Sequence, residues 1–262
     1  MKRVLFFLYG VIAYLIFFGT FSYAVGFVST FVVPKNIDSV PTWHLGNALL
    51  INAALLSLFA IQHSVMARPG FKKWWTRIVP EVIERSTYVL LSSVCLLLLF
   101  WYWQPLGGVI WNVESESVRV ILQVLCLFGF TIVLASSFLI NHFDLFGLRQ
   151  VWLYLLGRRY ESLPFRIPFF YKYVRHPLYL GFLIAFWSSP TMTAAHLFFA
   201  IMTTGYILIA IQFEENDLVK HFGVKYLEYR KSAPMIIPFF KSSKKSAAGS
   251  EYDKAESTGS SN

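Results

Sequence analysis

Two short polar runs bracket a hydrophobic hairpin late in the chain. Arg175-His176-Pro177-Leu178-Tyr179-Leu180-Gly181 opens it, and Glu214-Glu215 closes it. Proline is favoured at the first helical position, where its missing N–H would have no partner anyway. The spacing therefore predicts a helix from Pro177 with His176 at its cap. Such a start exposes free N–H groups and partial positive charge, which suits a carboxylate. Arg175 adds a planar, permanently charged fork for the same group. The same residues would also serve as a plain interfacial anchor, with the arginine facing lipid phosphate.

At the other end, Glu214 and Glu215 follow directly on an apolar run. Adjacent acids beside a membrane helix are costly unless they stay wet or meet a cation. If the helix continues to Arg230, Glu214, Glu215, Leu218, Phe222, Tyr226 and Tyr229 share about a third of its circumference. Gly223 is the point at which that helix would break. An aromatic wall beside carboxylates can stack a flat ring or lie over a cation. The alternative is an amphipathic helix lying on the membrane. Taken together, the two ends offer an anion site, a cation site and an aromatic surface. S-adenosylmethionine is a ligand that needs all three.

The elements that must position these residues are membrane helices. The chain of 262 residues is 56% hydrophobic and 14% charged, against about a quarter charged in a soluble domain. Apolar segments run over 4–33, 45–65, 86–104, 118–140, 178–189 and 193–213. The first four are each long enough for a crossing of about 20 residues; the fifth is short. The expected fold is therefore an all-α bundle of five to six spans, the last two forming a hairpin, within one domain over residues 1–240. Lys2 and Arg3 precede the first span, and the loops 66–85 and 141–176 carry most of the remaining basic residues. The loop 105–117 carries Glu114 and Glu116 instead. The positive-inside rule then puts both termini in the cytoplasm, in a bacterial inner membrane. This distribution also accounts for the net charge of +9 without a nucleic-acid partner. The first segment is too long for a cleaved signal and is expected to stay as a span. Residues 241–262, rich in Ser, Lys, Ala and Gly, read as a disordered tail. Cys95 and Cys126 lie in apolar runs and read as core residues. The histidines lack metal-binding spacing, so no metal is expected. No G-x-G-x-x-G run is present, which excludes a Rossmann nucleotide site.

The order Arg175-His176-Pro177-x-Tyr179-x-Gly181, Glu214-Glu215-x-x-Leu218, Phe222-Gly223-x-x-Tyr226-x-x-Tyr229, Pro234 and Ile237-Pro238 resembles the C-terminal signature of the membrane methyltransferases. That group includes isoprenylcysteine carboxyl methyltransferases and phospholipid N-methyltransferases. More narrowly, Phe31–Lys35 and Asn141–Gln150 are similar to segments of bacterial methanethiol S-methyltransferases. The resemblance implies S-adenosylmethionine as cofactor, a thiol or lipid-like acceptor, and a fold without a Rossmann domain. Carried over by motif, it implies cofactor contacts from Arg175, His176, Tyr179, Glu214, Glu215, Tyr226 and Tyr229, with Pro177 and Gly181 shaping the helix start.

Methyl transfer from a sulfonium is an in-line displacement whose leaving group needs no acid. The enzyme must align the nucleophile and exclude water. The thiol acceptor implied by the resemblance adds a demand for a base, because the thiolate is the nucleophile. His142, supported by Asp144, is the candidate; in a helix end the two residues would instead only cap and bond the backbone. His63 is a further candidate. Asn141, Phe143 and Arg149 stand on the acceptor side, with Arg149 suited to either a thiolate or a lipid phosphate. The alternatives are a larger acceptor, such as a prenylcysteine carboxylate or phospholipid amine, and a membrane protein without catalysis.

Overall fold

The computed structural model describes residues 1–40 and 44–238. The tail expected at 241–262 lies outside the described residues. Ten helices follow in order: α1 (Lys2–Ser29), α2 (Leu45–Ala67), α3 (Pro69–Trp75), α4 (Glu81–Tyr102), α5 (Glu116–Ile140), α6 (His142–Leu145), α7 (Leu148–Leu155), α8 (Pro177–Trp187), α9 (Ala194–Phe222) and α10 (Val224–Ser232). Two short strands, β1 (Val109–Asn112) and β2 (Thr191–Thr193), pair antiparallel, with Trp111 opposite Met192.

Five helices, α1, α2, α4, α5 and α9, are long and apolar enough to cross a membrane. Side chains such as Leu8, Ile12, Leu15, Ile121, Val124, Ile201 and Ile209 point outward and exposed. A soluble protein would bury such belts; in an integral membrane protein they face lipid.

The short helix α8 has 11 residues, about 16 Å at the helical rise. It cannot match α9, whose 29 residues extend about 43 Å. The segment Ser188–Thr193 makes up the difference in more extended form, and β2 ties its end to β1. The α8–α9 hairpin thus turns at the end of the bundle away from Arg3. Its open end returns to the level of the α5–α6 junction.

The firmest seat for α8 is α5. A Cβ on Gly129 would stand 2.6 Å from both Ala185 N and Gly181 O, and one on Gly181 would stand 2.6 Å from Gly129 O. Paired glycines let two backbones touch, a common device where lipid supplies no hydrophobic drive between helices. The main core lies toward the far end, where Phe27, Phe100, Trp103, Phe186 and Phe199 pack together. Trp103 is fully buried, and its indole N–H donates to Ile37 O at 3.2 Å.

Glycine also ends α9. Gly223 has φ +57°, a left-handed conformation that other residues adopt at a cost. The continuous helix to Arg230 is therefore corrected: α9 stops at Phe222, and α10 delivers Tyr226 and Tyr229 separately.

Gly129→Val should force α5 and α8 apart and cost about 1–3 kcal/mol by overpacking. Gly19→Ala, with nothing within 4 Å of the new Cβ, should not. Thermal unfolding in detergent, read for both variants, checks the contrast.

Candidate functional site

The open end of the hairpin is held by a buried ionic node. Arg175 Nε donates to Glu215 Oε1 at 2.7 Å, and His176 Nε2 lies 3.1 Å from the same oxygen. Arg230 Nε approaches Glu215 Oε2 at 3.2 Å. Arg175 Nη1 also donates to the carbonyls of Arg230 and Ala233 at 3.1 and 2.5 Å. Backbone bonds from Arg175 N to Pro234 O and from His176 N to Met235 O finish the clamp. Arg175, His176 and Glu215 are 8%, 5% and 3% exposed. Removing one member would leave a buried charge unpaired.

The twin acids therefore divide. Glu215 is consumed inside the node. Glu214, with 43% of its side chain exposed, lies 3.9 Å from His176 Nδ1 and faces a cavity of about 1320 Å³. Arg175 and His176 reach the wall of that cavity, but Arg175 spends Nε and Nη1 on protein partners. Its expected role as a free carboxylate fork is corrected accordingly: it fastens α8 to α9 and α10. Pro177, Tyr179 and Gly181 lie off the wall. Tyr179 packs with Ile207, Ile211 and Ile236, and Gly181 meets Gly129.

Tyr226 and Tyr229 form the aromatic side of the cavity with Phe165 and Phe222. The ring of Phe165 stands edge-on to both tyrosines at 5.9 and 5.6 Å. Tyr229 OH donates to Tyr171 O at 2.6 Å. Burial pushes the Tyr226, Tyr229 and Tyr171 hydroxyls well above their usual range, so they remain donors at neutral pH. Basic side chains from the loops 66–85 and 141–176 also reach the wall: Lys72, Arg85, Arg158, Arg159 and Arg166. Burial, then Arg85, lowers the pKa of Lys72. Glu84 is there as well, buried, with Oε1 lacking a partner.

The opposite wall carries Asn141, His142, Phe143 and Asp144. Asn141 sits at φ +138°, a strained conformation between α5 and α6, and its side chain caps Asp144 N at 3.2 Å. Such outliers persist where the surroundings hold them, often at functional sites. His142 is 2% exposed, and its ring stacks on Phe138 at 4.1 Å. The expected His142–Asp144 pair is corrected. Asp144 instead binds Arg149 Nη1 at 2.9 Å and accepts from Tyr160 OH at 3.2 Å.

Both imidazole nitrogens of His142 have hydroxyl partners. Ser137 Oγ stands 2.8 Å from Nδ1 and Tyr14 OH 2.8 Å from Nε2. Ser137 Oγ donates its one proton to Leu134 O at 2.6 Å. It must then accept from the ring, so Nδ1 carries the proton and Nε2 holds the lone pair. Burial lowers the His142 pKa and keeps the ring neutral. Tyr14 is 128 residues away in sequence, and no local pattern could have indicated it. His63 is apart from the cavity, with its ring nitrogens 3.0 Å from Tyr88 OH and Nδ1 3.2 Å from Ser92 Oγ.

A profile of the family described as NnrU protein matches residues 50–211. The chain belongs to the NnrU family. Among family relatives, methanethiol S-methyltransferase of Mycobacterium tuberculosis is 52% identical over 91% of this chain and 98% of its own length. Methanethiol S-methyltransferase of Crocosphaera subtropica is 54% identical over 91% of this chain and 94% of its own. Nurim of Xenopus laevis is 31% identical over 64% of this chain and 61% of its own. No solved structure matches the chain. In NnrU-family terms, the matched span takes in the His142 wall, Arg175 and His176, and ends just short of Glu214.

Glu215→Gln should cost about 3–5 kcal/mol, because it leaves the buried Arg175 without its counter-charge. Glu214→Gln should leave thermal stability unchanged. Equal losses in both, seen in melting curves, would contradict the division of the acids.

Proposed function

We propose that this chain is an S-adenosylmethionine-dependent methyltransferase that converts methanethiol to dimethyl sulfide. The observation that carries this reading is one cavity whose lining includes Glu214, Tyr226, Tyr229, several basic side chains and a neutral, buried His142. The two bacterial relatives named methanethiol S-methyltransferase, alike over nine-tenths of the chain, support it.

The residues present fit that donor. Glu214 would hold the cationic part, Arg158, Arg159 and Arg166 offer charge for a carboxylate, and Phe165 and Phe222, backed by the buried Tyr226 and Tyr229, offer an aromatic wall for adenine. When bound, the donor supplies an electrophilic methyl group on a sulfonium. A volume of about 1320 Å³ is ample for that donor, against roughly 300–1,000 Å³ for an ordinary small-molecule pocket.

His142 does the proton work in this reading. Its Nε2 lone pair is the final acceptor of the thiol proton, and Ser137 keeps the ring oriented through Nδ1–H. The thiolate then forms the new S–C bond as the donor's C–S bond breaks, and the electron pair stays on the donor sulfur. Glu215, Arg175 and Arg230 contribute by fixing where Glu214 stands. The basic loops flanking this end support placing it on the cytoplasmic side of a bacterial inner membrane.

Purified protein with S-adenosylmethionine and methanethiol should release dimethyl sulfide into the headspace. Label appearing in lipid, with no volatile product, would contradict the acceptor assignment. His142→Ala should reduce kcat by about 10²–10⁴-fold while leaving cofactor affinity unchanged. Because burial lowers the His142 pKa, the base form persists as pH falls. The acidic limb of kcat/KM should therefore lie below the ordinary imidazole value of about 6.5. A limb at or above that value would count against His142.

A further inference from the structure

A second recess, of about 410 Å³, lies against the outer side of α1, α6 and α7. Phe7 and Val11 of α1, with Leu148 and Trp152 of α7, form its walls. Asn141 and Phe143 belong both to it and to the main cavity. Phe7, Val11 and Tyr14 are spaced i, i+4, i+7 and so share one face of α1. Tyr14 lies on that face beyond the recess, its ring 6.3 Å from Phe143, which lines the recess, and 5.6 Å from the imidazole.

We propose that this recess is the acceptor site, that it admits a small apolar thiol from the lipid side of α1, and that Tyr14 passes the thiol proton to His142. The proposal rests on the methyltransferase reading and specifies its acceptor side. Three observations carry it. The Nε2 lone pair is covered by the Tyr14 hydroxyl at 2.8 Å, so a thiol reaches His142 through that hydroxyl. The one charged lining residue, Arg149, is committed to Asp144 and to Glu161 O at 2.9 and 3.1 Å. That leaves an apolar chamber suited to an alkyl thiol rather than a phosphate headgroup. Phe143, which lines both spaces, is 50% exposed beside the strained Asn141 and is the side chain that must turn aside to join them.

The step balances. The S–H bond breaks and its proton goes to Tyr14 Oη, while the proton of Tyr14 moves to His142 Nε2. The products are a thiolate, an intact phenol and an imidazolium. With Phe143 moved aside, the sulfur lone pair meets the donor methyl group in line, and the new S–C bond forms as the donor's C–S bond breaks and leaves its electron pair on the donor sulfur. The charged groups around this relay are Asp144 of α6 and Arg149 of α7, paired with each other, and Arg85 of α4, whose Nε donates to Leu145 O at 2.7 Å.

The test measures methanethiol turnover and cofactor binding by the full chain in lipid nanodiscs. Tyr14→Phe should lower kcat/KM for methanethiol at neutral pH by about 10²-fold or more, with unchanged S-adenosylmethionine affinity. The deficit should shrink as pH rises toward the thiol pKa, where solvent supplies the thiolate. Val11→Trp, which fills the recess, should raise the methanethiol KM by about tenfold or more, the scale of one lost apolar contact in a pocket, again with cofactor affinity intact. A Tyr14→Phe enzyme with full rate at neutral pH, a deficit that does not respond to pH, or a Val11→Trp enzyme with unchanged KM overturns the acceptor site. A wild-type protein that makes no dimethyl sulfide overturns the underlying reading instead.

Discussion

The site depends on a carboxylate buried among cations. Glu215 is 3% exposed and accepts from Arg175, with His176 and Arg230 also on its oxygens. A charge in that position is tolerable only when every partner is present. The node fixes the start of α8, the turn of α9 that carries the acids, and α10 in one arrangement. Everything at the cavity's acidic and aromatic side follows from it: Glu214 is turned outward because Glu215 is held inward, and Tyr226 and Tyr229 are aimed because Arg230 is tied down.

The opposite wall is built on a different principle. His142 is neutral, and its orientation comes from two hydroxyls and a stacked ring rather than from a carboxylate. The backbone strain at Asn141 marks the place where α5 is stopped and the imidazole is turned into the cavity. The charge lining the recess beside α1, Arg149, is paired with Asp144. Such a pairing favours an uncharged thiol until its proton has left.

Much of the architecture was legible in the sequence because lipid leaves few solutions for a long apolar segment. The hairpin after Pro177, the brevity of its first helix and the convergence of Arg175-His176 with Glu214-Glu215 all followed from hydropathy and a proline start. Pairings set by tertiary contact were not legible. Glu214 and Glu215 are chemically identical neighbours, and the tertiary positions of Arg175, His176 and Arg230 go with the burial of Glu215. The resemblance gives Gly181 a part in shaping the start of α8, and the partner that needs its bare Cα is Gly129 on α5. Asp144 is two residues from His142 but is bound by Arg149, while the true partner of the imidazole, Tyr14, comes from the first helix. The break at Gly223 was visible as a glycine, but its consequence, a separate α10, required the left-handed turn itself.

The most direct test is an experimental structure of the full chain with S-adenosylhomocysteine. The account predicts ligand density between Glu214 and the Tyr226–Tyr229 wall, with the ligand sulfur on the side of the cavity that faces His142 and Phe143. Density elsewhere in the bundle, or in this cavity with its sulfur turned away from His142, would contradict it.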